Sequence, residues 1–119
     1  VQEELAARGW ESWGSDRAEA ALAFCRARGL ERLVAHDAAA VPAELGRFDL
    51  VLALDLLEHL DDDARALAAW RAALVPGGHL LLHVPAHPRL FGYWDAMLGH
   101  RRRYRREELR ARLLAAGLE

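Results

Sequence analysis

The stretch from Phe48 to Pro85, FDLVLALDLLEHLDDDARALAAWRAALVPGGHLLLHVP, constrains the fold of this chain more than any other. A continuous apolar run, Leu50 to Leu54, ends in Asp55. Apolar residues at helical spacing follow, from about Asp62 to Leu74. Pro76-Gly77-Gly78 stops that pattern, and a second apolar run, Leu80 to Val84, ends at Pro85. The order is strand, helix, stop, strand. Neither run alternates with polar residues, which predicts parallel strands covered on both faces by helices. The connection is long enough for a right-handed crossover. Open α/β sheets bind ligands beyond the carboxyl ends of their strands. Asp55, Leu56 and the residues after Pro85 are therefore the first candidates for a site.

The flanking chain extends the pattern. Val1 to Arg8 has helix-forming composition, with Gly9 as its stop. Trp10 to Ser15 reads as a short strand ending at Asp16. Arg17 to Arg28 reads as a helix with Ala18, Ala21, Leu22 and Cys25 on one stripe and Gly29 as its cap. Leu33 to His36 is a strand ending at Asp37, and Ala38 to Arg47 is a loop or single turn broken by Pro42 and Gly46. Asp61, Asp62 and Asp63 fall where a helix N-terminus favours negative charge. Ala86 to Arg103 is irregular, aromatic and basic, and Glu107 to Ala116 is an amphipathic helix through Leu109, Leu113 and Leu114. Three apolar runs thus end in an aspartate, Asp16, Asp37 and Asp55. Successive parallel strands would place all three along one edge of a sheet, although each alone reads equally well as a helix cap or turn residue.

Composition narrows the function. With 119 residues the chain has length for one small domain and no more, and a net charge of −2 provides no general attraction to nucleic acid or anionic membranes. No apolar run approaches the roughly 18 residues of a membrane span. The single cysteine, Cys25, can neither pair internally nor supply metal-ligand spacing, and it fits a cytoplasmic protein. All 16 basic residues are arginine. The absence of lysine rules out Schiff-base chemistry, a phosphate-loop lysine and a Tyr/Lys reductase pair within the segment. Arg101, Arg102, Arg103, Arg105 and Arg106 form the one basic cluster; Glu107 and Glu108 follow at once, so a solvated helix entry is expected there, with recognition of an acidic or phosphate-bearing acceptor as the next reading and a nucleic-acid surface last.

Together the pieces resemble a class I S-adenosylmethionine-dependent methyltransferase of the small-molecule type. The resemblance rests on FDLVLALDLLEHLDD followed by LVPGGHLLLHVP, with Gly14-Ser15-Asp16 before a helix, His36-Asp37-Ala38 after a strand, and Gly99-His100-Arg101-Arg102-Arg103-Tyr104 before Glu108-Leu109. It implies a Rossmann-like α/β three-layer sandwich with a mostly parallel sheet. Residues 1–119 would be a partial domain supplying the second to fifth strands. The family's first strand with its glycine-rich loop, and its last two strands, have no counterpart here, so the two strand pairs would lack the central strand between them. Arg105 stands where the family often has a Ser or Thr helix cap.

The resemblance also implies roles. Asp16, with Arg17 beside it, would accept the two ribose hydroxyls of S-adenosylmethionine, which suits an ionised carboxylate. Asp37 would accept from the adenine amino group, with Ala38 supplying a backbone N–H. Asp55 and Leu56 would lie near the sulfonium. His59 and His100 are the candidate bases by type, with Tyr104 as an orienter. Asp55-Leu56-Leu57-Glu58-His59 is similar to the acidic-x-x-Glu-His pattern with which some quinone O-methyltransferases hold a divalent metal. A structural or acceptor-facing role fits these residues better, and no metal is expected. His79 and His83 read as ordinary strand histidines. The reaction would be methyl transfer to O, N or C of a small-molecule acceptor, with Phe91 to Tyr104 covering the acceptor side. A nicotinamide-type Rossmann enzyme or a non-catalytic interaction module are the alternatives.

Overall fold

Two pairs of parallel strands carry the fold in the computed structural model, which describes residues 1–119. Strand β1 (Gly14–Asp16) pairs with β2 (Leu33–Ala35), and β3 (Phe48–Leu54) with β4 (Leu74–His83). The pairs are separate sheets, as the sequence predicts, and helices connect the strands within each. Helix α1 (Gln2–Ala7) precedes β1, α2 (Glu19–Ala27) joins β1 to β2, and α3 (Asp63–Ala72) joins β3 to β4. A short helix α4 (Tyr93–Met97) and a longer α5 (Arg106–Ala115) follow. Helix α2 packs on β1 and β2, α3 on β4, and α5 on α3. No helix is long and apolar enough to cross a membrane.

The core lies between α3 and the β3–β4 pair. Helix α3 buries Asp63, Ala66, Leu67 and Trp70, the i, i+3, i+4, i+7 stripe of a core-facing helix. These meet Ala53 from β3, Leu57 from the turn after it, and Tyr104 from the distant segment before α5. Fully burying a leucine such as Leu57 or Leu67 contributes about 1.5–3 kcal/mol. The Asp62 side chain caps α3 by accepting from the Arg65 N–H at 2.9 Å. Arg105 opens α5 without a side-chain cap, as expected of a residue that has no acceptor.

Two local expectations are corrected. Pro76-Gly77-Gly78 does not end the helix; α3 stops at Ala72, and the tripeptide lies inside β4. Register there jumps from Phe48↔Leu74 to Leu50↔His79, so two steps on β3 face five on β4. Gly78 lies so close to β3 that an added Cβ would sit 3.1 Å from the Phe48 carbonyl oxygen, which makes the irregularity a glycine-dependent bulge. The second correction concerns cover. One face of β3–β4 packs on α3, but the other leaves His79, Leu81 and His83 open, with Leu81 55% exposed. The apolar run therefore has one buried face rather than two.

After β4 the chain makes a loop and returns. His87 N–H donates to the Tyr104 carbonyl and Tyr104 N–H to that of Pro85, closing the segment between them. The basic cluster beside it is largely neutralised. Arg101 pairs with Asp61, Arg102 with Asp63 and Arg103 with Asp95 at 2.9, 3.0 and 2.8 Å. Three of the five clustered arginines thus hold the loop against acidic residues of the protein, which a solvated helix entry does not capture.

Candidate functional site

Beyond the carboxyl ends of β1, β2 and β3 lies a polar cleft of about 290 Å³. Its lining includes Asp16 and Arg17 after β1, Asp37 and Ala38 after β2, and Leu56 and His59 after β3. Asp16 and Asp37 are exposed, and each spends Oδ1 on the backbone N–H two residues on, Ala18 and Ala39, both at 2.8 Å. The cap reading and the ligand reading therefore both fit: one oxygen shapes the turn, and Oδ2 faces no protein donor. Trp70 Nε1–H donates to the Ala38 carbonyl at 2.9 Å, which ties the second loop to the core helix. The Ala38 N–H has no backbone acceptor. A second, apolar cleft of about 190 Å³ runs between the two sheets, past Trp13, Val34, Phe48, Leu50 and Trp70, and shares Ser15, His36, Ala38 and Leu56 with the first.

Five of the six predicted cofactor residues thus line one cleft: Asp16, Arg17, Asp37, Ala38 and Leu56. Asp55 does not line it. Its backbone is left-handed, φ +50°, and its Oδ1 lies 2.8 Å from His83 Nδ1 on the neighbouring strand. That pair follows from the β3–β4 register, in which Leu54 faces His83. His83, read from sequence as an ordinary strand histidine, is therefore the partner that turns Asp55 aside.

Behind the cleft wall the turn Leu57–His59 meets the returning segment. Arg101 N–H donates to the Glu58 carbonyl at 2.8 Å, Arg101 Nε–H to that of His59 at 3.1 Å, and Arg102 to those of Leu60 and Asp61 at 3.0 Å. This zipper places His100 beside Glu58 and His59. The His59 and His100 rings meet edge to face, 4.7 Å apart. His100 Nδ1 lies 2.9 Å from Asp95 Oδ1. A carboxylate offers only acceptors, so Nδ1 carries the proton and Nε2 is left free. Asp95 is 2% exposed and also accepts from Arg103 Nε–H at 2.8 Å and Gly92 N–H at 2.9 Å. The Arg103 hydrogen bond holds its carboxyl well below the usual range; burial opposes the shift and the bonds to His100 and Gly92 add to it.

Glu58 is fully buried, and neither carboxylate oxygen has a hydrogen-bond partner. Its Oε1 lies 3.9 Å from His100 Nε2, too far for a hydrogen bond. One ligand atom from each of Glu58, His59 and His100 falls within 4.8 Å of the others. Sequence reasoning named both histidines, but His100 joins the set only through tertiary folding.

Tyr104 is corrected. It is 2% exposed, and its hydroxyl donates to Asp63 at 3.0 Å, so it cannot orient an acceptor in the cleft. Burial, then the Asp63 carboxylate, push its phenol far above the ordinary value. Asp63, predicted as a helix-terminus charge, is a buried hub that also meets Arg112 at 2.8 Å and Arg102 at 3.0 Å.

Residues 2–119 match the family model described as a methyltransferase domain. The ubiquinone biosynthesis O-methyltransferase of Marinobacter nauticus is 33% identical over 100 residues, covering 76% of this chain and 42% of that protein. Its namesake in Pseudomonas paraeruginosa is 38% identical over 88 residues, covering 69% and 38%. That of Bordetella pertussis is 37% identical over 84 residues, covering 66% and 35%. The chain therefore spans about two fifths of the length of these relatives. No solved structure matches it.

Proposed function

The chain belongs to the class I S-adenosylmethionine-dependent methyltransferases, and on that premise we propose that its polar cleft holds the nucleoside part of S-adenosylmethionine for methyl transfer to a small-molecule hydroxyl. The observation that carries this reading is the convergence of Asp16, Arg17, Asp37, Ala38 and Leu56 from three strand ends into one cleft. The names of the relatives support oxygen as the acceptor atom.

When bound, S-adenosylmethionine supplies an electrophilic methyl group on its sulfonium. The protein's share is positioning. Asp16 Oδ2 would accept from the ribose diol, beside Arg17. Asp37 Oδ2 would accept from the adenine amino group while the Ala38 N–H would donate to the ring, and Leu56 would form the apolar wall. Asp55 acts through the turn that its left-handed backbone and its His83 contact set, which presents Leu56 and His59 to the cleft. We place activation of the acceptor at His59, which lines the cleft, and at His100 behind it. The acceptor approaches from the Phe91 to Tyr104 side, where Tyr93, Trp94 and Met97 are exposed. The pairing of the clustered arginines with acidic side chains argues for a small-molecule acceptor over nucleic acid. The unpaired Cys25 fits the reducing cytoplasm.

Asp16→Asn is the test. Asparagine retains an oxygen for the Ala18 N–H but loses the charge. A charge-assisted hydrogen bond is worth about 1.5–3 kcal/mol, so affinity for S-adenosylhomocysteine should fall about ten- to a hundredfold in calorimetry. Equal affinities for mutant and wild type would remove Asp16 from the site.

A further inference from the structure

We propose that His36 is a specificity-determining residue for the nucleoside base, its Nε2 accepting from the exocyclic amino group of adenine so that the cleft rejects the deaminated base. The resemblance gave roles to Asp37 and Ala38 and none to His36. The first observation is position. Side chains two residues apart on an extended segment share a face, so His36, directly after β2, faces the same way as Val34. Ser15 on β1 joins that face because it pairs with Val34. The face lines the apolar cleft, and at its carboxyl end Ser15 and His36 also line the polar cleft. Ala38 and Leu56 belong to both clefts too, but only Ser15 and His36 bring polar side chains to the junction. Apolar walls with a few placed polar groups suit a flat ring with a polar edge.

The second observation is the tautomer. His36 Nδ1 lies 2.8 Å from the Asp37 carbonyl oxygen. A carbonyl only accepts, so Nδ1 carries the proton and Nε2 of the neutral ring is a bare acceptor. The loop that carries the ring is held at three further points. The same Asp37 carbonyl accepts from the Ala40 N–H at 2.9 Å, Asp37 Oδ1 from the Ala39 N–H at 2.8 Å, and the Ala38 carbonyl from Trp70 Nε1–H at 2.9 Å. The imidazole is therefore oriented before a ligand arrives, which lowers the ordering cost of binding.

The third is the balance of donors and acceptors. The inference deepens the proposed function, on which it rests for the base lying at the Asp37 end of the cleft. An adenine amino group carries two N–H donors. Asp37 Oδ2 would take one and His36 Nε2 the other. A deaminated base, hypoxanthine, has a carbonyl oxygen in place of the amino group. That oxygen would meet two acceptors, and both would be left unpaired. A site built to hydrogen-bond a ligand group rejects the analogue that lacks it for this reason.

Selectivity is tested without turnover. The protein is titrated by calorimetry with S-adenosylhomocysteine and with its deaminated analogue, S-inosylhomocysteine. Wild type should prefer the adenine compound by at least about tenfold, and His36→Phe, which keeps a ring and removes the acceptor, should lower that preference about three- to tenfold. A merely structural disturbance weakens both compounds alike and leaves their ratio unchanged, so an unchanged ratio in His36→Phe would overturn the assignment. Circular dichroism shows whether the variant folds. If it does not, nitrogen NMR of wild type decides: His36 should be the Nδ1–H tautomer in the free protein, and its Nε2 signal should move upfield when S-adenosylhomocysteine binds. An Nε2–H tautomer, or an Nε2 signal that stays in place, would overturn the assignment equally. Wild type that binds S-adenosylhomocysteine while His36→Phe keeps the same ratio refutes only the role of His36. Wild type that binds neither compound refutes the nucleoside reading of the cleft itself.

Discussion

Replacing Asp63 with alanine should cost this protein more stability than any surface change. The carboxylate is 3% exposed and meets Tyr104, Arg112 and Arg102 at 3.0, 2.8 and 3.0 Å. Removing one partner of a buried charged pair costs about 3–5 kcal/mol. The arginine side chains remain 27% and 35% exposed and can recover water, so the lower end, about 3 kcal/mol, applies. The Tyr104 hydroxyl cannot recover water: it is buried, with only a 3.5 Å contact to the Leu57 carbonyl left. At about 2.1 cal/mol/K of unfolding entropy per residue, a loss of about 3 kcal/mol lowers the melting temperature by about 12 °C. Tyr104→Phe removes one hydrogen bond and should cost about 1 kcal/mol, or about 4 °C. Scanning calorimetry of both single variants and the double variant gives the cycle. The Tyr104→Phe effect should shrink or vanish in the Asp63→Ala background. An Asp63→Ala loss no larger than that of Tyr104→Phe, or full additivity, would refute the hub.

Two further expectations concern the returning segment. The Asp95 carboxyl is depressed chiefly by Arg103, so its stabilisation is fully present above its unfolded value of about 3.9 and is lost as pH falls through the lower folded value. Melting curves of wild type should therefore decline below about pH 4, while Asp95→Asn loses that part of the acid dependence; parallel curves would contradict the assignment. Trp94 is 73% exposed beside the proposed acceptor entrance. Trp94→Ala should raise the acceptor KM and leave S-adenosylhomocysteine affinity within twofold, and a change confined to that affinity would move Trp94 to the other side of the site.

What the sequence determined by itself was the kind and order of its elements. Apolar runs of strand length, a core stripe at helical spacing on α3, and glycines at Gly9 and Gly29 depend on neighbours within a few residues. The convergence of Asp16 and Asp37 was legible for the same reason, because parallel strands end at one edge. The tripeptide Pro76-Gly77-Gly78 misled because a helix stop and a β-bulge use the same residues; the close approach of Phe48 chose between them. Tertiary structure alone decided the charge partners. Asp55 finds His83 across 28 residues, Asp63 finds Tyr104 across 41, and the Arg101 and Arg102 hydrogen bonds to the carbonyls of residues 58–61 set His100 beside Glu58. Periodicity reports which face of an element is apolar. It carries no information on which distant side chain will stand opposite a given carboxylate, and in a low-dielectric interior that opposite side chain decides whether the charge is held, diverted or left without a partner.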